Sequence, residues 1–175
     1  MAKSGTGKGF EQDWSNSCPP EIFIERVRDV LYMSGSSTSK DYIVYKHPNL
    51  FLFELKSHKG KSLPIKEEYY KDEKRRGEIK NYGVITAKQL EGLYEERTRK
   101  GVYAGFIVNF REKFATYYVP VKLVYDFIKD ENRERSSIPI EWFEENGIRI
   151  PQRKKITRWT YDFRFLDLIV EMGID

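Results

Sequence analysis

The sequence is poor in the residues that build cysteine- and histidine-based sites. It contains a single cysteine, Cys18, so neither a disulfide within the chain nor a cysteine-based zinc site can form. Its two histidines, His47 and His58, argue against a histidine-rich metal site. Metal centres rich in cysteine or histidine are therefore not expected in this protein.

Long apolar runs are also missing. No stretch approaches the roughly 18 apolar residues that a membrane-spanning helix needs. The first residues, MAKSGTGKGFEQ, include lysines but no apolar core, so they do not form a secretory signal. We therefore expect a cytoplasmic protein that makes no membrane contact. With 175 residues, 39% of them hydrophobic, the chain is long enough for one domain with its own core.

The net charge is a modest +4, but its distribution is uneven. Residues 56–80 hold nine lysines and arginines against five acids, and the rest of the chain balances at 22 against 22. A basic segment of this kind is typical of proteins that hold a polyanion by its phosphates. A solvated loop of mixed charge explains the same pattern, and the charge alone leaves both interpretations open.

The apolar pattern predicts helices and hairpins in an irregular order. One hairpin is predicted around the turn at residues 46–49, and a second joins strands at 102–110 and 114–120. Thr86 and Gln89 fit a capping box that opens a helix through about Lys100. The remaining expectations are a helix at 9–17, a strand or short helix at 21–33, a turn at 34–39, an irregular or loosely helical stretch at 57–83, helices at 121–131 and 138–147, and an ambiguous C-terminal segment. This order predicts an α/β fold with a mixed sheet.

The first hairpin contains a conflict between its apolar strands and the charges on them. If residues 46–49 form the turn, Asp41 pairs with Glu54, and alternation puts both on one face with Lys56. Paired residues have Cβ atoms about 4.5–5.5 Å apart, and two carboxylates at 4 Å repel by roughly 4 kcal/mol at an effective dielectric near 20. A divalent cation such as Mg²⁺ removes this cost, because it prefers carboxylate oxygens.

Two carboxylates, a cation and a lysine are the arrangement that phosphodiester hydrolysis needs. The metal lowers the pKa of a bound water, and Lys56 can stabilise charge on the phosphate or position the nucleophile. In the alternative interpretation Asp41 only begins the strand, and Glu54 and Lys56 form an exposed ion pair. The apolar character of both strand faces favours a cleft at the charged end.

The pattern D-x₁₂-E-x-K on a hairpin resembles the PD-(D/E)xK nuclease superfamily. The fuller pattern resembles its RecU-type Holliday junction resolvases, through GKGFE near the start, SSTSKDY before the acidic strand, FELKSHKGKSLP after it, and KQL at the next helix. The resemblance covers roughly residues 7–128. It implies a restriction-endonuclease-like core, with a central mixed β-sheet flanked by helices.

The resemblance also implies roles for five side chains. Asp41 and Glu54 would bind Mg²⁺, with Mn²⁺ as a possible substitute, and Lys56 would be the catalytic lysine. Glu11 matches the family's early acidic residue and would support metal binding, although an ordinary helix-surface carboxylate explains it equally well. Gln89 matches the family's active-site glutamine, although its place in the capping box gives it a structural role as well.

The implied substrate is branched double-stranded DNA, cut by a homodimer because resolution needs two coordinated nicks. The candidate phosphate contacts are Lys59, Lys61, Lys74, Arg75, Arg76, Arg153, Lys154 and Lys155. We expect one nuclease domain over residues 1–175, with a basic insertion at about 66–85 and a C-terminal extension from about 129. The chain departs from the family at residue 40, which is Lys rather than Pro, and the interval at 18–39 is too short for the family's full stalk.

Other functions are compatible with the same residues. A restriction or repair endonuclease would share the fold and chemistry but act on another DNA substrate. A non-catalytic DNA-binding module could retain the scaffold, and a surface for a protein partner would be favoured if DNA binding were absent at low salt. Cleavage of four-way junctions compared with linear DNA distinguishes these possibilities.

Overall fold

The computed structural model of the chain describes residues 7–27, 38–69 and 80–173. Its helices are α1 (Gly7–Ser15), α2 (Ala87–Glu96), α3 (Val121–Lys129), α4 (Ile140–Asn146) and α5 (Phe165–Met172). Its strands are β1 (Phe23–Arg26), β2 (Tyr42–Lys46), β3 (Asn49–His58), β4 (Ser62–Pro64), β5 (Glu67–Tyr69), β6 (Lys80–Tyr82), β7 (Ile85–Thr86), β8 (Val102–Phe110), β9 (Ala115–Pro120), β10 (Ser137–Pro139), β11 (Ile148–Arg149), β12 (Gln152–Lys154) and β13 (Trp159–Tyr161). None of the described helices is long and apolar enough to cross a membrane.

Six strands form the central sheet, in the order β1-β2-β3-β8-β9-β11. Strands β3 and β8 run parallel, whereas the other neighbouring pairs run antiparallel. The parallel pair is possible because α2 provides the crossover between β3 and β8. The predicted α/β class, with a central mixed sheet flanked by helices, is confirmed.

The sheet separates two apolar cores. One face packs against α2, α3 and α4, where Leu90, Val124 and Phe143 are buried. The other face packs against α1 and α5, where Trp14 and Phe165 are buried. Strand β3 contributes to both cores because its side chains alternate, which explains the absence of a polar face along most of its length.

The register of the first hairpin is the one expected from the sequence. Tyr45 pairs with Leu50 and Ile43 with Leu52, and the pairing continues to Tyr42 and Phe53. The next residue, Asp41, donates its backbone N–H to the carbonyl of Phe53 over 2.8 Å. Asp41 therefore lies across from Glu54 at the open end of the hairpin.

The expectation for residues 57–83 was wrong in the part that the structure describes. Strand β3 runs on to His58, and β4 pairs with β10, which lies far away in the sequence. Strands β5, β6 and β7 form a separate three-stranded sheet. Short strands with distant partners carry too little local pattern to be recognised, because tertiary pairing overrides propensity.

Other boundaries differ by smaller amounts. Helix α2 ends at Glu96 rather than near Lys100, and Gly101, with a φ of 76°, leads into β8. The ambiguous C-terminal segment contains the hairpin of β12 and β13 followed by α5. The predicted element at 21–33 begins as β1, and its residues from 28 onward lie outside the described residues, as does most of the predicted turn at 34–39.

Candidate active site

The carboxyl groups of Asp41 and Glu54 meet at the open end of the hairpin. Asp41 Oδ2 accepts a hydrogen bond from the backbone N–H of Leu55 over 2.8 Å, which fixes this carboxylate against β3. The two carboxyl groups hydrogen-bond each other, and Glu54 is only 3% exposed. The carboxyl groups of two acids on adjoining strands thus lie together in a largely buried position.

Lys56 and Gln89 complete the surroundings of Glu54. Lys56 Nζ lies 2.9 Å from Glu54 Oε1 and donates to Gln89 Oε1 over 3.0 Å. Gln89 Nε2 donates to Glu54 Oε1 over 2.5 Å. The three side chains form a closed triangle of contacts, in which a cation and an amide both stabilise the carboxylate form of Glu54.

Burial dominates the protonation of both acids. The pKa of Glu54 is raised to about 8, mainly by burial, with Lys56 opposing the shift and the neighbouring Asp41 adding to it. Burial also raises the pKa of Asp41, against the Leu55 N–H and the charges of Lys56 and Arg26. Without a bound cation, Glu54 therefore keeps a proton near neutral pH and donates it in a hydrogen bond to Asp41.

Glu11 on α1 lies beside this pair but has its own partner. Its Oε2 is 2.6 Å from Arg26 Nη2 of β1. Burial raises the pKa of Glu11, and the charge of Asp41 raises it as well, whereas Arg26, Lys56 and Lys8 lower it. Glu11 thus belongs to the same electrostatic neighbourhood, with its carboxylate held by an arginine.

Gln89 belongs to the capping box of α2 and also contacts two of the candidate site residues. Its backbone N–H donates to Thr86 Oγ1 over 3.1 Å, and its side-chain Oε1 accepts from the Thr86 N–H over 3.0 Å, so the predicted capping box is confirmed. The same side chain contacts Glu54 and Lys56. The start of α2 therefore orients the amide that holds the acid and the lysine.

The donor set fits a hard divalent cation. Oxygen atoms of Asp41 and Glu54 converge, and burial raises the pKa values of both acids in spite of the nearby Lys56. Within residues 7–27, 38–69 and 80–173, no group of three or more His, Cys, Asp or Glu side chains is close enough to hold a metal by itself. Mg²⁺ commonly uses one or two carboxylates and completes its shell with waters and substrate phosphates.

The candidate DNA contacts are spread over separate elements. Lys59 and Lys61 are exposed just after β3, and Lys59 Nζ lies 3.7 Å from Glu112. Arg153 and Lys154 are exposed on β12, followed by the exposed Lys155. The remaining candidates, Lys74, Arg75 and Arg76, lie outside the described residues.

Sequence reasoning missed two features beside the site. Lys40, which stands where the PD-(D/E)xK pattern has proline, forms an ion pair with Glu96 of α2, with oxygens 2.5 and 2.6 Å from its Nζ. Asn109 and Thr116 are buried polar residues that face each other across β8 and β9. Polar residues inside two otherwise apolar strands were the available signal for the second feature.

The comparisons with known proteins place this α/β chain in a family. The sequence model of the family Recombination protein U (RecU) matches residues 70–161, more than half of the chain. The protein therefore belongs to the RecU family, the Holliday junction resolvases that the sequence resembles. The matched segment includes Gln89 but begins after Glu11, Asp41, Glu54 and Lys56, and the roles of all five residues stay predictions.

Two individual proteins are also similar to the chain. The SPbeta prophage-derived uncharacterized protein YotM of Bacillus subtilis is 28% identical over 179 residues, covering 92% of this chain and 84% of its own. The structure of Hjc, a Holliday junction resolvase from the archaeal hyperthermophile Archaeoglobus fulgidus, matches with a TM-score of 0.44 and 16% identity. That match covers 73% of this chain and 82% of Hjc.

Proposed function

We propose that this protein is a Mg²⁺-dependent, structure-selective DNA endonuclease that resolves Holliday junctions by paired nicks during recombination. Membership of the RecU family supports the substrate class. The observation that carries the proposal is the meeting of Asp41 and Glu54, both of which have raised pKa values, with Lys56 beside them. Folding alone gives no reason to bring two acids together at the end of an apolar hairpin.

Asp41 and Glu54 would hold the cation, with Glu11 as a supporting acid. When bound, Mg²⁺ or a substituting Mn²⁺ would supply Lewis-acid stabilisation of phosphate charge and promote deprotonation of the attacking water. The Leu55 N–H holds the Asp41 carboxylate in place, and Gln89 holds the Glu54 carboxylate. Both ligands are thus oriented by contacts that exist before metal or DNA arrives.

Lys56 would place its ammonium group at the scissile phosphate. Its Nζ is held between Glu54 and Gln89, so its position is fixed before DNA binds. A preorganised cation of this kind stabilises the negative charge that develops in the transition state. Gln89 is a positioning residue in this scheme, because it acts through Glu54 and Lys56.

Paired nicks require two active sites, so we propose a homodimer on branched duplex DNA. The exposed Lys59, Lys61, Arg153, Lys154 and Lys155 would contact phosphates, together with Lys74, Arg75 and Arg76 of the basic insertion at about 66–85. Residues 1–175 would form a single nuclease domain, with the part from about 129 as its C-terminal extension.

The proposal is tested by cleavage of labelled four-way junctions and linear duplexes, with Mg²⁺ or with a chelator. We expect the wild type to make paired, metal-dependent nicks in the junction, and Asp41→Asn to lose them while still binding it. Asp126→Asn is a matched control, because Asp126 lies on α3 in an ion pair with Lys122. Equal cleavage of all DNA forms would leave a nuclease that is not a resolvase, and wild-type protein that cuts nothing would reject the proposal.

A further inference from the structure

A cavity of about 180 Å³ lies beside the candidate active site. Its lining includes Ser57, which follows Lys56 directly in β3, so the two Cα atoms are about 3.8 Å apart. Successive side chains of a strand point to opposite faces, and Ser57 therefore lies on the face of α1 and α5. The cavity thus adjoins the catalytic lysine of the proposed mechanism from the other side of the sheet.

A row of hydrogen-bonded polar side chains crosses the sheet into this cavity. Ser57 Oγ donates to Asn109 Oδ1 over 3.4 Å, and Asn109 Nδ2 donates to Thr116 Oγ1 over 2.8 Å. Thr116 Oγ1 in turn donates to Gln152 Oε1 over 2.5 Å. Thr116 is fully buried and Asn109 is 7% exposed. Buried polar side chains must all be hydrogen-bonded, a requirement that apolar residues at these positions would not impose.

The row leaves one donor available at the cavity. Gln152 lines the cavity and accepts from Thr116 through Oε1, and its Nε2 has no partner among the residues that the structure describes. Asp13, also in the lining, accepts the Trp159 N–H through Oδ2 over 2.9 Å. Its Oδ1 offers an acceptor to a ligand. An amide donor and a carboxylate acceptor in one small space match the edge of a nucleobase.

An aromatic wall closes the cavity. Phe114 and Trp159 both line it and stack on each other, with ring centroids 5.7 Å apart and planes at 28°. Phe114 is 60% exposed and has a φ of 48°, a conformation uncommon outside glycine and concentrated at functional sites. An exposed ring held in this way provides a surface on which a base can stack.

The size of the cavity limits the ligand that it can hold. A volume of about 180 Å³ is below the roughly 300–1,000 Å³ of sites for larger molecules, so a single ring system is the natural occupant. Arg111 and Lys154 also line the cavity and would attract the phosphates that flank a base, while the Asp13 carboxylate accepts the N–H groups that bases carry. We infer that this cavity binds one unpaired nucleobase of the junction, next to the strand that is cut. The inference rests on the proposed function, which supplies the DNA.

The test uses four-way junctions in which single nucleotides near the branch point are replaced by abasic sites. Binding is measured in Mg²⁺ with the full-length Asp41→Asn protein, so that no strand is cut. We expect one position at which loss of the base weakens binding about tenfold, the size of one base–aromatic stack. In Asp41→Asn/Phe114→Ala this difference between intact and abasic junctions should vanish.

Two further variants separate the cavity from general effects. Phe23→Ala removes an exposed aromatic residue from the edge strand β1, far from the lining, and should keep the abasic effect. Gln152→Glu preserves the acceptor for Thr116 but replaces the free donor, and should reduce the abasic effect even if Phe114→Ala does not fold. Unchanged affinity at every abasic position, with junction binding and wild-type nicking intact, would overturn the nucleobase site alone. A protein that neither binds nor cuts junctions would overturn both proposals.

Discussion

Glu54 shows how one buried acid can be kept both reactive and in place. It lies in a strand that is apolar on both sides, where an isolated charge would be costly. Lys56 and Gln89 contact the same oxygen, Oε1, and Asp41 shares the proton of the carboxyl group. The Glu54 carboxyl group is thus surrounded by groups that interact with its charge. A bound cation can therefore replace its proton.

We predict that Lys56→Met lowers junction cleavage by about 100- to 1,000-fold, the usual loss when one preorganised charge donor is removed. The measurement is single-turnover nicking at saturating Mg²⁺. Lys122→Met is the matched control, because Lys122 lies on α3 in an ion pair with Asp126 and should leave the rate nearly unchanged. Nicking by Lys56→Met at the wild-type rate would remove Lys56 from the mechanism.

The local part of the site could be predicted from the sequence. The turn at 46–49 fixes the register of β2 and β3, and that register brings Asp41 opposite Glu54. The ion pair of Arg26 with Glu11 joins residues 15 positions apart, and the pair of Lys40 with Glu96 joins residues 56 positions apart. Such contacts depend on how elements pack, which no local pattern specifies.

At the scale of the element, the first turn of α2 connects helix stability with the site. Thr86 caps the helix, and the residue that completes the capping box, Gln89, contacts Glu54 and Lys56. The helix start is therefore aligned with the end of β3 by a single amide. Loss of the capping hydrogen bond and loss of the Gln89 side chain should therefore differ in their effects on stability and on the nicking rate.

We predict that Thr86→Ala lowers the free energy of unfolding by about 1 kcal/mol, the typical value of an N-cap side chain. Its nicking rate should stay within about threefold of wild type, because the Thr86 backbone N–H still holds the Gln89 amide. Gln89→Leu should lose stability and also slow nicking by at least about tenfold. Urea unfolding and single-turnover rates on both variants check this, and equal rate losses would mean that Gln89 acts only through the helix.

The elements that the sequence did not reveal are those with distant partners. The apolar runs of β8 and β9 and the helical pattern of α3 were sufficient, because both strands are buried on both faces and the helix buries one face. Strand β4 has only three residues and pairs with β10, more than 70 positions later. Strand pairing of this kind is decided by the assembled core rather than by the segment itself.

At the scale of the whole molecule, DNA affinity should depend on the basic residues of β12. We predict that Arg153→Ala/Lys154→Ala reduces the slope of log affinity against log salt by about 1.8, because each neutralised duplex phosphate contributes about 0.9. Lys122→Ala is the control, since Lys122 already pairs with Asp126 on α3. Binding titrations of the Asp41→Asn background on a four-way junction, between low and moderate salt, measure the slopes. Equal slopes for the double variant and its parent would remove β12 from the DNA interface.

The acid pair also couples the stability of the whole fold to pH. Because burial raises the pKa of Glu54 from 4.5 to about 8, the folded protein binds more protons than the unfolded chain between these values. The contribution of Glu54 to stability is therefore complete below about pH 4.5 and is lost as pH rises through 8. The raised pKa of Asp41 acts in the same direction.

We predict that the metal-free protein becomes less stable as pH rises from 5 to 8, with a slope from Glu54 of at most about 1.4 kcal/mol per pH unit, the value for one proton. Glu54→Gln lacks this titration, so its curve should be flatter over the same range. Urea unfolding of both proteins in chelator measures the difference in slope. Saturating Mg²⁺ should flatten the wild-type curve and raise it at pH 8, because the cation replaces the proton between the two acids. Parallel curves for wild type and Glu54→Gln would mean that Glu54 is charged in the folded protein without a cation, and that the site is not poised to exchange one for a proton.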